Sequence, residues 1–457
     1  MRIPLLLLIA ALAWSGSPIQ RLEAATPASE TAAAKAERMQ WWTDARFGLF
    51  LHWGLYAVPA GEWKGKRDYG EWIQEEADIP KAEYERFATR FDPKRYDPDA
   101  WARAAKAAGM KYVVITSKHH EGFAMWDTQG SDYNIARRTP YAKGVIAPLA
   151  DAVRRQGLHF GVYYSIMDWH DPSQHENKPN VLNPTLIDPA QKSRYVRDMK
   201  TELKELVEQA DVEILWFDGE WVDWWTREDA EDMVAYLRGL RPDLIINNRV
   251  FNSRGGMGGI SAEGMPGDFH TPEQEVPAAG LGAGEYWESC VTMNRHWGYN
   301  RHDQAWKSDR ELIRMLVDVA SKGGNLLLNI GPTAEGELPA PSLQRLDAIG
   351  RWMQVNGEAI YGTQSAALAQ APAWGRITRK PAGNGQPERL YLHVFDWPAD
   401  GVLRLPLAGK VAEAVLLAEP GTALRADTGG GELRLQLPPK APDADASVIR
   451  LTLAQES

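Results

Sequence analysis

Cysteine is almost absent: Cys290 is the only one in 457 residues. No intramolecular disulfide can form, and every zinc or iron–sulfur site built on paired cysteines is excluded. Runs of lysine or arginine are also missing. With 51 basic against 61 acidic side chains the formal net charge is −10, so the chain offers nothing to neutralise a phosphate backbone, and neither nucleic acid nor an anionic membrane surface is expected as a partner. Past the amino-terminal segment no stretch is apolar enough to span a bilayer. No Gly-x-Gly-x-x-Gly follows the first strand, which weighs against a dinucleotide fold, and no internal repeat of fixed period occurs. Aromatic residues, by contrast, are plentiful, with 19 Trp and 15 Tyr. Most such rings fill cores, but flat apolar faces with polar edges are also what a sugar-binding cleft needs.

Arg2 and the apolar run Pro4 to Trp14 have the charged and hydrophobic regions of a secretory signal, too short to cross a membrane. Ala24 and Ala25 supply a cleavage boundary, so residues 1–25 are expected to be removed and the mature protein exported, to the periplasm or the exterior. Residues 26–36, rich in Ala, Thr, Ser and Glu, are expected to form a disordered leader or the frayed start of a helix.

The body, residues 37–362, alternates two kinds of segment. Short runs rich in β-branched and aromatic residues read as buried strands: Arg46 to His52, Tyr112 to Lys118, His159 to Ser165, Val212 to Phe217, Leu244 to Asn248 and Asn325 to Ile330. Between them lie helical patterns: Pro98 to Ala108, Leu149 to Gln156, Gln191 to Ala210, Glu228 to Leu240, Asp309 to Lys322 and Pro341 to Asn356. Repeated strand–helix units over about 320 residues predict an α/β fold, a closed (β/α)8-like barrel of the TIM type. Residues 363–457 change character. Six runs alternating apolar and polar residues, from Arg376 to Leu453, lie between Gly, Pro and Asp turns and predict an antiparallel β-sandwich.

In such a barrel, chemistry sits at the C-terminal ends of the strands. The residues there are His52, the run Lys118-His119-His120-Glu121, Tyr163-Tyr164-Ser165, Trp216-Phe217-Asp218 and Asn247-Asn248-Arg249. Asp218 follows a buried run directly, where an unpaired carboxylate is expensive. It reads either as a working carboxylate or as a helix cap or partner of Arg249. The three histidines admit zinc binding, a structural role, or hydrogen bonding to sugar hydroxyls. Adjacent residues at a strand end point to opposite faces, which disfavours one metal ion held by both His119 and His120, and neutral imidazole, with one donor and one acceptor, suits a hydroxyl.

These strings together, Phe47-Gly48 through His52-Trp53-Gly54, Lys118 to Phe123, Tyr163-Tyr164-Ser165, Leu215 to Gly219 and Asn356 to Gly362, resemble the α-L-fucosidases of glycoside hydrolase family 29, in order from about Glu37 to Gly362. The resemblance implies a retaining, exo-acting enzyme that removes terminal α-L-fucose from glycans, on a (β/α)8-like barrel followed by a β-sandwich, with neither metal nor cofactor. It implies Asp218 as nucleophile and His52, Glu71, Trp72, His119, His120, Tyr163, Trp216 and Arg249 as substrate-binding residues, Tyr164 being a possible substitute for Tyr163. Glu121 stands where many members carry Asp, outside the expected substrate contacts. The segment Gly267 to Glu275 looks like the one that carries the general acid/base, at Glu273, with Glu275, Glu263 and Glu288 as competitors.

A retaining glycosidase places its two carboxyls roughly 5 to 5.5 Å apart, one attacking the anomeric carbon and one protonating the leaving oxygen. Fucose carries a methyl group where other hexoses carry a hydroxymethyl, so an aromatic subsite from Trp72, Trp216 and Trp287 is expected to select it. The competing readings are a non-catalytic carbohydrate-binding barrel and a metal-dependent one. The C-terminal domain reads as a structural module, with glycan binding as the alternative.

Overall fold

Strand β1 (Phe47–Leu51), β2 (Tyr112–Lys118), β3 (His159–Ser165), β4 (Ile214–Asp218), β5 (Ile245–Ile246), β6 (Glu288–Thr292) and β7 (Asn325–Ile330) form one parallel sheet in the order β5-β4-β3-β2-β1-β7-β6. This is a computed structural model, and it describes residues 30–174, 188–264, 266–282, 284–366, 371–407 and 409–454. Helices Pro98–Ala107, Ile146–Arg155, Pro189–Ala210, Arg227–Leu240, Asp309–Ser321 and Ala340–Asn356 fall within a few residues of the sequence expectation. Capping fixes several of their starts. Thr226 with Asp229, and Ser308 with Glu311, form reciprocal capping boxes, while Asp97 accepts from the Ala100 amide.

No strand ladder joins β5 to β6; residues 268–274 fill that gap. On one side the Asp268 amide donates to Ile246 O and the Asn248 amide to Phe269 O. On the other the Cys290 amide donates to Pro272 O and the Gln274 amide to Cys290 O, at 3.1 and 2.9 Å. The segment is an eighth barrel position without a regular strand. Pro272 removes a donor and Gln274 has φ of 56°, so pairing is limited to isolated bridges.

Period-two alternation sorts the strand residues into two layers. Phe50, Tyr112, Val114, Tyr163, Ile214, Trp216, Phe269, Cys290 and Leu327 belong to the cluster inside the barrel. Their neighbours Leu49, Val113, Ile115, Val162, Leu215, Phe217, Trp287 and Leu328 belong to the larger cluster shared with the helices. Glycine makes room for the interior rings: a Cβ on Gly48 would lie 2.3 Å from the Tyr112 ring. Trp42 closes the N-terminal end, its ring 4.6 Å from Phe269 and its carbonyl accepting from Asn325 Nδ2 at 2.7 Å. With that end plugged, a ligand-sized opening is left at the C-terminal mouth.

Beyond Asn356 come a six-stranded antiparallel sheet, β13-β12-β16-β10-β9-β8, and a three-stranded one, β11-β15-β14. They comprise β8 (Gln364–Ser365), β9 (Gly375–Lys380), β10 (Arg389–Val394), β11 (Val402–Pro406), β12 (Val411–Leu416), β13 (Glu419–Ala423), β14 (Ala426–Gly429), β15 (Glu432–Gln436) and β16 (Ser447–Leu453). Leu390, Leu392 and Ile449 of one sheet pack with Leu403, Leu405 and Leu433 of the other, as in a sandwich. The sandwich docks on two barrel helices: Trp352 Nε1 donates to Ala446 O at 2.8 Å and Arg314 Nη2 to Phe395 O at 2.8 Å.

The chain divides into two compact units, Met1–Glu37 and Arg38–Ser457; barrel and sandwich share the second. Within the first, the described residues begin at Glu30, and Ala32 to Ala36 form the first turns of helix Ala32–Ala45. Alanine has the highest helix propensity, which offsets the lack of apolar residues there. The expected export signal, residues 1–25, lies outside the described residues.

Candidate active site

The mouth of the barrel holds a cavity of about 200 Å³, lined by residues from the ends of the strands and the loops that follow them. Asp218, the last residue of β4, points inward with Ile214 and Trp216 because all three share parity. Its Oδ1 accepts from Arg249 Nη1 at 2.9 Å and its Oδ2 from the Tyr163 hydroxyl at 2.9 Å. Burial would raise this carboxyl, but the charges of Arg249, His120 and Arg254 override it and hold Asp218 at about 2. His120 is itself neutral at pH 7, so the two arginines carry the effect there. Asp218 is therefore an anion at neutral pH.

Arg249 is 3 % exposed and bridges two carboxylates. While Nη1 holds Asp218, Nη2 donates to Glu273 Oε2 at 2.7 Å and Nε to Thr271 Oγ1 at 3.0 Å. Glu273 sits at the C-terminal end of the eighth barrel position, its own amide donating to Met257 O at 2.8 Å. Two carboxylates thus flank one planar guanidinium, which stacks over the Trp216 ring at 4.5 Å.

The histidines come together for a local reason. The register of β2 against β3 slips between Thr116 and Lys118, turning Lys118 outward to Glu202 at 2.8 Å and Asp168 at 3.4 Å. His119 and His120 follow with rings 4.2 Å apart, and both line the cavity. The expectation that they point to opposite faces is thereby corrected: the strand has ended at Lys118, after a bulge, and alternation no longer applies. His119 stacks on Tyr163 at 5.1 Å and lies 5.7 Å from His52. Burial keeps all three neutral, with His52 pushed down to about 3, His120 to about 4 and His119 well below its ordinary value.

The network assigns two tautomers. Asn329 Nδ2 donates to Trp297 O, so its Oδ1 accepts from His52 Nδ1, and Ser165 donates to Met167 O, so its oxygen accepts from His120 Nδ1. In both rings Nε2 is left as an acceptor for a hydroxyl. Among the described residues no group of three or more His, Cys, Asp or Glu side chains is arranged to hold a metal ion.

Against known sequence families, residues 17–358 match the α-L-fucosidase profile. The chain belongs to the α-L-fucosidase family. It is 34% identical over 387 residues to the plasma α-L-fucosidase of Rattus norvegicus, covering 80% of this chain and 79% of that protein. Among solved structures it resembles α-L-fucosidase isoenzyme 1 of Paenibacillus thiaminolyticus, with a TM-score of 0.81, 39% identity and coverage of 93% of this chain and 100% of that one. A trapped covalent intermediate of the Bacteroides thetaiotaomicron α-L-fucosidase with 2-fluoro-fucosyl fluoride superposes at a TM-score of 0.81, 30% identity, over 92% and 96% of the two chains.

Of the site residues expected for a fucosidase, Asp218, Glu273, His52, Glu71, Trp72, His119, His120, Tyr163, Trp216 and Arg249 all line this one cavity. Trp287 does not. It precedes inward-facing Glu288, so its ring points outward, into the layer between β6 and the helices, where Gly324 gives it space. The expectation for Trp287 is corrected on that ground. Tyr164, of opposite parity to Tyr163, faces outward and donates to Glu202. Glu121 is buried away from the cavity, accepting from the Leu55 amide and Tyr84. Of the acid/base competitors, Glu275 and Glu263 are exposed, and Glu288 lies inside the barrel bonded to Tyr112 and Trp216.

Phe50, Trp221, Arg254, Met257, Cys290 and Trp297 also line the cavity. Parity with His52 marks Phe50 in the sequence, and parity with Glu288 would mark Cys290 had β6 been recognised. Trp221, Arg254, Met257 and Trp297 come from loops, where no periodicity reports direction.

Proposed function

We propose that this protein is a retaining, exo-acting α-L-fucosidase in which Asp218 is the nucleophile and Glu273 the general acid/base. The single observation that carries this reading is the pair of carboxylates held 2.9 and 2.7 Å from adjacent nitrogens of Arg249, beside one sugar-sized cavity. In the first step Asp218 attacks the anomeric carbon, the bond to the leaving oxygen breaks, and that oxygen takes the proton of Glu273. The proton rides on Oε1, since Oε2 accepts from Arg249. In the second step Glu273 removes a proton from water, whose oxygen displaces Asp218 from the ester. Arg249 and Tyr163 supply donors aimed at the carboxylate that is released.

The acceptors at His52 and His120 Nε2 suit two hydroxyls of one ring face, and buried Glu71 adds a further acceptor at the wall. Phe50, Trp216 and Trp297 surround the remaining side, where the fucose methyl group is placed in this reading. The related L-galactose-configured ring is expected to react more slowly, since one added hydroxyl in an apolar pocket gives only modest discrimination. No metal enters the mechanism. Export, by the amino-terminal signal, is part of the proposal and rests on residues 2–25 of the sequence; mass spectrometry of the secreted chain's first residue tests it.

The activity test is an NMR time course on an aryl α-L-fucoside in excess chelator. The expected first product is α-L-fucose. A β-configured first product contradicts retention, and loss of activity that zinc restores contradicts the metal-free mechanism.

A further inference from the structure

Two residues beyond the nucleophile lies a carboxylate that the mechanism above does not use. Glu220 is 1 % exposed; its Oε1 accepts from Arg254 Nε at 2.6 Å, while Oε2 is buried with no hydrogen-bond partner among the described residues. It does not line the cavity, whereas Arg254 does. A buried ion pair with one oxygen unsatisfied is a poor stabiliser, since well-packed apolar residues of similar volume usually do as well or better. Stability alone therefore does not account for this pair.

Arg254 is the first residue of a glycine-rich loop, and that loop reaches the proton donor. Arg254 Nη1 donates to Gly256 O at 2.8 Å, the Gly255 amide donates to Ile260 O, and Arg254 forms a bridge with Ser261. The far side of the loop is pinned where the Thr271 amide and Asn248 Nδ2 both donate to Gly259 O, and a Cβ at Gly259 would meet Thr271 O at 2.0 Å. Between these anchors, Met257 O accepts from the Glu273 amide. Gly255, Gly256 and Gly258 carry no side chains to hold the loop, so its near end depends on Arg254.

We infer that Glu220 is a positioning residue: by fixing Arg254 it sets the loop whose Met257 carbonyl holds the Glu273 backbone, and so aims the proton donor at the leaving oxygen. The inference rests on Glu273 being the acid/base. It makes Glu220 matter in proportion to how much protonation a leaving group needs, which a residue serving only to pack the barrel would not do.

The experiment is a series of aryl α-L-fucosides whose phenols range from strongly to weakly acidic, with kcat/KM measured for the parent, Glu220→Ala, Glu220→Gln, Arg254→Met and the double variant Glu220→Ala with Arg254→Met. Glu220→Ala is expected to stay within about threefold of the parent on the most activated substrate and to fall about thirtyfold on the least activated one. Glu220→Gln, whose amide oxygen still accepts from Arg254 Nε, should recover most of that loss. Arg254→Met should show the same steepening on top of a loss common to every substrate, since Arg254 Nη2 also lies 3.9 Å from Asp218 Oδ1. The slope of the double variant should be no steeper than that of either single one, because both remove one link to the loop. Equal loss across the series, an unchanged slope in either single variant, or additive slopes overturn the inference. If Glu220→Ala does not fold, the slope for Arg254→Met decides. Glu273→Ala runs alongside: if it shows no leaving-group dependence, or if the parent cleaves no fucoside, the assignment of Glu273 itself fails, and the inference with it.

Discussion

Two carboxylates point into the same barrel one layer apart, and their acidities are shifted in opposite directions. Asp218, at the mouth, faces Arg249 and Arg254 and is held at about 2 against its burial. Glu288, deeper inside, is 1 % exposed; burial lifts it to about 7, and its partners, Tyr112 and Trp216, are neutral donors. Both are hydrogen-bonded, so hydrogen bonding does not separate them. The guanidinium does. Desolvation of a carboxyl by the barrel interior is general, and the carboxyl stays ionised at neutral pH where a cation offsets it.

Removing that cation is the most severe way to break the contrast. Arg249→Met should lower kcat/KM on the order of a thousandfold or more, because buried Asp218 and half-buried Glu273 lose their shared partner. The acid limb of its pH profile should also move upward, since Asp218 would then resemble Glu288. A profile with an unmoved acid limb would show that Arg249 does not set the state of Asp218.

Glu273→Ala sharpens the comparison from the other side. With a natural disaccharide it should lose roughly a hundredfold or more, while an activated aryl fucoside should give a burst followed by a slow steady state. Glu275→Ala, at an exposed position, should behave like the parent. The reverse pattern in stopped-flow traces would move the acid/base to Glu275.

Glu288 makes a prediction about stability. Its folded state keeps a proton up to about 7 whereas the unfolded chain releases it near 4.5, so the folded form binds more protons between those values. Stability from this group is full below pH 4.5 and falls as pH rises through 7, by roughly 3 kcal/mol. Glu121, lifted to about 8 by burial, adds a loss in the same direction. Because His52, His119 and His120, held neutral by burial, act in the opposite sense below about pH 6.5, the readout is a difference: the Tm of Glu288→Gln minus that of the parent should increase from pH 5 to pH 8, with activity staying within a few-fold. A difference that stays constant or shrinks over this range would contradict it.

The smallest effect is expected at Trp287. Lying outside the barrel wall, Trp287→Phe should lower stability by about 1–3 kcal/mol and leave KM for a fucoside unchanged. A selective rise in KM would put the ring in contact with substrate after all.

Most of this site was legible in the sequence wherever a strand was a continuous apolar run. The strand ends gave His52, Tyr163, Asp218 and Arg249 directly, and β2, β3 and β7 have the expected bounds. Strand β6 was not legible: Glu288, Ser289, Cys290 and Thr292 make it a polar run, buried because its hydrogen bonds are satisfied inside the barrel. The eighth barrel position, 268–274, carries Pro272 and a positive φ and has no strand pattern at all, although it delivers Glu273. Its identity came from resemblance rather than periodicity. Trp287 departs from expectation because β6 is not recognisable as a strand and its parity is lost with it, whereas His119 and His120 reach the cavity as expected but share a face because a bulge at the strand end resets parity. Strands β13 and β14, exposed and bearing Gly and Pro, lie at sheet edges, where burial leaves no pattern.

The central claim is that the cation-held carboxylate, Asp218, forms the bond to fucose. Its most direct test is Asp218→Gly assayed on an activated aryl α-L-fucoside with and without azide, with the product configuration read by NMR. The account predicts loss of several orders of magnitude in turnover and partial recovery in azide with formation of β-L-fucosyl azide, because azide fills the vacated space and attacks the same face. An α-configured azide, or recovery with no azide adduct, would contradict it.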